Sequence, residues 1–287
     1  MRHVLCDLCG ADDSAVIAET GRLGLPVRTV ICRQCGLVYT DPVLELEDYS
    51  PEDAEKVRRL RRPAASPSAK YLMKNRWRAE GALEVLEPVI RPGMRALDVG
   101  CAAGTLLVAL RDRGCEVTGV EPEPAFAAYS REQCGLTVHQ CLLEEADLPP
   151  GAFDLVTASH VVEHADSPRA FIRRLRDLLT DGGWLFVEVP NLLQPRCSSR
   201  RIFHVAHRTN FTPATLRQMV ETAGFRIETT RLLDGPGAAQ ILAQKTEGPC
   251  EPGTPEDWRA VVRRLRRHRY MYYVSGTFIR RKLGARA

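Results

Sequence analysis

Three sets of residues in this sequence have the types and spacing to do chemistry. Near the start, Cys6-x-x-Cys9-Gly10 and Cys32-x-x-Cys35-Gly36 form two cysteine knuckles. Four thiolates paired in this way suit one tetrahedral zinc ion, and the glycine after each second cysteine supplies the positive φ that closes the turn. A redox dithiol and two disulfides are the rival readings. Neither needs both the duplication and the glycines, so structural zinc is expected on Cys6, Cys9, Cys32 and Cys35. Four protein ligands leave no open position, so such a zinc is not catalytic. The second set is Asp98-x-Gly100-x-Ala102-x-Gly104 with Glu121 after it, and the third is His160-Val161-Val162-Glu163-His164, with His204 and His207 further on. Histidines and carboxylates of this last kind remove a proton from a nucleophile or hold a divalent ion.

The second set can be matched to a ligand. A glycine turn followed about twenty residues later by a carboxylate binds a ribose through its hydroxyls. A dinucleotide fingerprint needs bare backbone where the pyrophosphate packs, and Ala102 stands there instead. Asp98 would repel a phosphate but suits an ammonium. S-adenosylmethionine carries a ribose, an amino group and a sulfonium, and no phosphate, so it is the expected cofactor. The bland alternative is an ordinary tight βα turn.

The elements that must position these residues follow from hydrophobic periodicity. Residues 96–99 form a short apolar run, Leu106, Leu107 and Leu110 mark a helix stopped by Gly114, and residues 117–120 form a second run. Strand, turn, helix and strand make half of a doubly wound α/β sheet, with ligands at the strand ends. Further helices are expected over 124–134, 171–179 and from Thr212-Pro213 to Gly224, with Asp181-Gly182-Gly183 as the stop of the second. Strands are expected over 136–139, 153–158, 184–189, 225–231 and 239–244; the run 153–158 ends at Ser159-His160 on the crevice rim. Residues 191–210 form an irregular stretch rich in arginine, serine and histidine, facing that rim.

ALDVGCAAGTL and GVEP resemble motifs I and II of class I S-adenosylmethionine-dependent methyltransferases. FDLVTASHVVEHADSP, LLTDGGWLFVEVPN and FTPATLRQMVETAGF match the later blocks in order, so the resemblance covers about residues 71–245. It implies a Rossmann-like seven-stranded sheet whose last strand runs antiparallel. It also implies cofactor contacts from Asp98, Gly100, Cys101, Ala102, Gly104, Glu121, Pro122 and Ser159, with Leu142 and Leu143 against the adenine. The helix over 69–90 precedes the first strand, and by the same resemblance Tyr71 and Arg76 border the pocket, plain helix packing being the alternative. Ala102 departs from the usual glycine.

HVVEH is similar to the Glu-x-x-Glu-His segment of small-RNA 3′-end 2′-O-methyltransferases and ubiquinone-pathway O-methyltransferases, where the side chains can hold a divalent ion. His160 replaces the first glutamate, Glu163 and His164 match the last two residues, and His207 stands for a later histidine. His160, His207, Glu163 and His164 are therefore the catalytic candidates. His160 or His207 would act as general base, or the cluster would hold an ion, or Glu-His would simply cap the loop. The start of the chain, with CGLVYTDP completing its second knuckle, resembles the zinc-binding head of bacterial sugar and natural-product methyltransferases.

At 287 residues, 44% hydrophobic and 26% charged, the chain has the balance of a globular protein with one sizeable core and small additions. The expected division is a zinc ribbon over 1–45, a linker or flap over 46–68, the methyltransferase domain over 69–247 and a basic amphipathic helical tail over 248–287. In that tail Trp258, Val262, Leu265, Tyr272, Ile279 and Leu283 recur at helical spacing, opposite arginines such as Arg263 and Arg267. Such a helix binds RNA, an anionic membrane or a subunit, or packs on its own domain. Net charge is only +4, and five of the 40 basic residues are lysine, an arginine bias that a GC-rich genome also produces. No run is apolar enough to span a membrane and no signal peptide pattern opens the chain, so a cytoplasmic location is expected. The function expected is methylation of a small molecule, a sugar or secondary metabolite, on oxygen. Methylation on nitrogen or carbon, an RNA methyltransferase and a non-catalytic scaffold are the alternatives, and a homodimer is left open. RNA is disfavoured because Tyr39 is the one aromatic residue of the zinc module.

Overall fold

The computed structural model describes residues 1–60, 66–194, 202–233, 237–248, 250 and 253–274, with backbone alone at 269 and 271–274. Seven strands form the main sheet in the order β10-β11-β8-β7-β4-β5-β6. They are β4 (Arg95–Val99), β5 (Glu116–Val120), β6 (Thr137–His139), β7 (Phe153–Ser159), β8 (Leu179–Pro190), β10 (Phe225–Leu233) and β11 (Ala238–Lys245). β4 runs parallel to β5 and β7 at the centre, while β11 runs antiparallel to both β8 and β10, as the resemblance implies. Helices cover both faces, which is why β7 and β8 carry apolar residues in both directions. Leu86 and Ala82 of α2 (Ala69–Leu86) and Leu110 of α3 (Thr105–Arg111) pack on one face, against Ala96, Leu155 and Phe186. Ile172 and Leu175 of α5 (Pro168–Leu178) and Leu216 and Met219 of α6 (Pro213–Thr222) pack on the other. α4 (Pro124–Cys134) links β5 to β6.

The helix ends obey local chemistry. Pro124, Pro168 and Pro213 open their helices, where a missing N–H costs nothing. Ser167 and Thr212 cap two of them by accepting the N–H three residues on. One expectation is corrected: Asp181-Gly182-Gly183 does not separate α5 from a later strand. α5 already ends at Leu178, β8 begins at Leu179, and the glycines lie within a register shift between Phe153↔Leu179 and Leu155↔Trp184.

The head consists of β1 (Ser14–Thr20), β2 (Pro26–Cys32) and β3 (Val38–Thr40), all antiparallel. Its sheet takes a fourth strand, β9 (Thr209–Asn210), from the irregular stretch after β8. Of the expected linker or flap over 46–68, residues 51–60 are helical. α1 (Pro51–Leu60) buries Ala54 and Val57, and Val57 joins a cluster with Leu25, Ile31 and Val38 of the head. α7 (Trp258–Val274) closes the same cluster with Val261, and Trp258, Val262 and Leu265 lie half-buried beside it. The first turns of α7 therefore pack on their own chain. Ile279 and Leu283 lie outside the described residues, as does the side chain of Tyr272. Among the described residues no helix is long and apolar enough to cross a membrane.

Candidate functional site

The turn after β4 is the most constrained backbone around the crevice. Gly100 and Ala102 both adopt left-handed conformations, φ 71° and 50°. The N–H groups of Gly100 and Cys101 donate to the Val120 carbonyl (2.7 and 3.1 Å), tying the turn to the end of β5. A Cβ on Gly100 would collide with the Val161 side chain, so glycine is required there. Ser130 Oγ donates to the Ala102 carbonyl at 2.7 Å. Gly104 opens α3 and abuts Leu136 and Ser130, so its role is in packing.

Two buried acids flank this turn. Asp98 Oδ1 accepts from Thr157 Oγ1 at 2.7 Å; burial pushes the carboxyl up to about 7, with the Thr157 bond opposing and the Glu121 charge adding. Glu121 accepts the Ala102 N–H at Oε2 and the Glu123 N–H at Oε1, each at 2.8 Å. Burial raises its pKa against those two bonds. Each of its oxygens keeps a second lone pair, enough for one ribose hydroxyl apiece.

These residues border a cavity of about 1080 Å³, room for a nucleoside and a second small molecule. Asp98, Gly100, Cys101, Ala102, Glu121 and Pro122 line one part of it, and Leu142, Leu143 and Ser159 another. Tyr71 also lines it and stacks on Phe126, ring centroids 4.8 Å apart. Arg76 is exposed and points elsewhere on α2; Arg78 takes the expected place in the wall. The Arg78 Nε is buried without a hydrogen-bond partner. The signal was available, because Arg78 lies seven residues from Tyr71, two helical turns along the same face.

The histidines gather as expected but divide the work differently. His160, at φ 57°, places Nδ1 3.5 Å from Glu163 Oε1 and Nε2 2.8 Å from Glu188 Oε1. Burial lowers its pKa, but the two carboxylates more than offset this and the net shift is upward. With a carboxylate at each ring nitrogen the protonated ring is favoured, and no lone pair is left for an acceptor. His160 also lines the cavity, but this surrounding weighs against its expected role as general base. Glu188, buried in the apolar run of β8, is a partner that periodicity did not single out; Gln240 Nε2 donates to it at 2.6 Å.

His207 lies half-buried against His204 and His164, centroids 3.7 and 4.8 Å away. Burial, then its histidine neighbours, push its pKa down to about 2, and it does not line the cavity. With a lowered pKa and no place in the cavity lining, it is poorly suited to its expected role as the base. His164 does line the cavity, with its side chain 42% exposed. Its Nδ1 lies 2.7 Å from the Ala206 carbonyl, which can only accept, so Nδ1 carries a proton and a neutral ring would have its lone pair on Nε2. Glu163 is 1% exposed; neither oxygen makes a hydrogen bond, and Oε1 faces His160, His164 and His207 at 3.5, 3.9 and 4.0 Å. A Glu163 oxygen and nitrogens of His164 and His207 lie within 4.8 Å of one another. One carboxylate and two imidazoles are a donor set that suits a divalent transition ion, and the orphaned Glu163 oxygens fit it.

The cysteine centre lies in the head. Cys6 and Cys35 sulfurs are 3.4 Å apart, Cys9 and Cys32 sulfurs 3.5 Å, and all four lie within 4.8 Å of one another. A tetrahedral zinc with bonds of about 2.3 Å needs sulfur pairs roughly 3.8 Å apart, so the residues fit. Gly10 and Gly36 both have φ 77°, as the knuckle turns require.

The family model described as a methyltransferase domain matches residues 70–230. A ubiquinone biosynthesis O-methyltransferase of Xanthomonas campestris pv. campestris is 34% identical over 133 residues, 40% of this chain and 56% of that protein. The chain thus spans about half the length of the curated relatives it matches. A solved S-adenosylmethionine-dependent methyltransferase from Mesorhizobium loti has a TM-score of 0.51 at 18% identity, covering 58% of this chain and 98% of its own. One from Archaeoglobus fulgidus has a TM-score of 0.50 at 22% identity, covering 62% and 100%. At these identities the likeness is one of fold.

Proposed function

The chain belongs to the methyltransferase-domain family and is a class I S-adenosylmethionine-dependent methyltransferase, and from that premise we propose that it methylates a hydroxyl oxygen of a small molecule, a sugar or another secondary metabolite. The observation that carries the reading is His164, whose Nδ1 is held by the Ala206 carbonyl, in the wall of a cavity that Asp98 and Glu121 also line. S-adenosylmethionine supplies an electrophilic methyl group on its sulfonium. Glu121 accepts the ribose hydroxyls, Asp98 faces the ammonium, and Arg78 pairs with the carboxylate through the donor that lacks a partner. Leu142 and Leu143 pack the adenine. Tyr71 and Phe126 close the wall and exclude water.

His164 Nε2 accepts the hydroxyl proton as the oxygen attacks. Ala206 fixes its tautomer, and His160 with Glu188 anchors the backbone from which the Glu163-His164 turn departs. A second reading is favoured by the two orphaned Glu163 oxygens. In it Glu163, His164 and His207 hold a divalent ion, which would lower the pKa of the acceptor hydroxyl. Oxygen as the methylated atom also agrees with the name of the relatives, O-methyltransferases. In the head, Cys6, Cys9, Cys32 and Cys35 hold a structural zinc.

The test offers labelled S-adenosylmethionine with phenols, free glycosides, nucleotide sugars, amines and RNA. Transfer to hydroxyl compounds is expected. His164→Ala should slow it by about 10²–10⁴ while leaving cofactor affinity intact. Loss of turnover on chelation, restored by a divalent ion, selects the second reading. Transfer to amines alone, with a near-normal His164→Ala variant, would sink the oxygen reading.

A further inference from the structure

The head bonds to the two loops that form the acceptor side of the cavity. Asp7, inside the first knuckle, accepts from Ser167 Oγ at Oδ1 (2.8 Å) and from the Arg169 N–H at Oδ2 (2.7 Å). Ser167 caps α5, which opens just after the Glu163-His164 turn. A carboxylate here satisfies an orphan N–H and the positive end of the helix dipole, and it comes from 160 residues away in the chain. On the other side, β3 pairs with β9 through Val38↔Asn210 and Tyr39↔Thr209. The Thr40 N–H donates to the Arg208 carbonyl at 2.9 Å, Thr40 Oγ1 to that of His207 at 3.4 Å, and the Arg22 N–H to that of Phe203 at 2.7 Å. The two loops also meet directly, through His164 with Ala206 and Asp166 with Arg208. The head spans both.

We propose that the cysteine head is the frame for the acceptor side of the cavity, and that Asp7 is a positioning residue for the Glu163-His164 turn. The distance from Asp7 to the turn is covered by one helix cap, and the two cysteines that flank Asp7, Cys6 and Cys9, belong to the same metal centre. Metal in the head thus holds Asp7 in place, and Asp7 holds the cap. The strand pairing does the same for His207. The head then supports the catalytic apparatus although none of its residues is among those that line the cavity. This rests on the cavity being the methyl-transfer site.

Hydrogen exchange on the full chain tests it, in the protein as purified, in chelator-stripped protein and in Asp7→Ala. Asp7→Ala should speed exchange of the Arg169 amide and of residues 163–169 by about 10–100-fold, the range for one hydrogen bond to a charged group. Residues 94–121 and S-adenosylmethionine affinity should stay within about twofold, since no bond there is lost. Asp7→Asn keeps one acceptor oxygen and should fall between the two. In stripped protein, residues 163–169 and 203–210 should both exchange faster. If those loops keep their protection while the knuckles open, the head is a passenger and the proposal fails. Wild-type exchange at Arg169 in Asp7→Ala overturns the role of Asp7. No S-adenosylmethionine binding by the wild type would instead overturn the reading of the cavity.

Discussion

At the scale of single residues, the chemistry of the cofactor side is set by two carboxylates that burial holds back from ionising. Asp98 titrates at about 7 when its neighbour is only Thr157 and Glu121. An ammonium placed beside it favours the ionised form, so binding releases a proton wherever Asp98 began protonated. Affinity for S-adenosylmethionine should therefore be flat above about pH 8 and fall below about pH 7, approaching tenfold per unit, because one pKa unit is 1.36 kcal/mol. Calorimetry in buffers of different ionisation enthalpy reads that proton directly; affinity that rises on acidification would refute the placement of the ammonium. Glu121 carries a heavier structural share than its spacing alone implies, because it also fixes the left-handed Ala102. Glu121→Ala should weaken binding by about 1.5–3 kcal/mol per hydrogen bond lost and release the turn as well. Unchanged affinity by calorimetry would show that the ribose lies elsewhere.

At the scale of elements, the parts legible in advance were those written in local periodicity. The strand 96–99, the glycine turn and the helix over 124–134 agree with the structure because apolar spacing, proline and glycine act within a few residues. The roles of the histidines were not legible. His160 was expected as the base from its place at a strand end, but Glu188 lies on the next strand and only tertiary pairing brings the two together. Arg78 was missed although it lies seven residues, two helical turns, from Tyr71. β9 is two residues long and has no pattern of its own. The turn itself gives a sharp prediction: Gly100→Ala forces a side chain into a left-handed backbone and against Val161. It should destabilise the fold by about 1–3 kcal/mol and weaken the cofactor further, since Val161 adjoins His160. Denaturant unfolding and calorimetry on one preparation would separate the two effects.

At the scale of the molecule, residues 254–265 join the head to the rest of the chain. Glu256 bonds to the capping Thr212, Thr254 accepts from Gln218, and Val261 is 1% exposed in the cluster with Ile31 and Val38. Val261→Ala removes two buried carbons and should cost about 1–3 kcal/mol in denaturant unfolding. A variant as stable as wild type would mean that α7 is not docked. The exposed arginines of α7, among them Arg259, Arg263 and Arg267, then lie in water. Salt-dependent RNA binding that vanishes when residues 253–287 are deleted would reverse that judgement. The strand β9 has one more consequence, in the order of synthesis. β3 leaves the ribosome long before its edge partner; Thr40 and His207, which bond to one another, are 167 residues apart. At translation rates of about 5–20 residues per second, the nascent head waits roughly 10–30 s with an unpaired strand edge, the kind of surface on which neighbouring nascent chains aggregate.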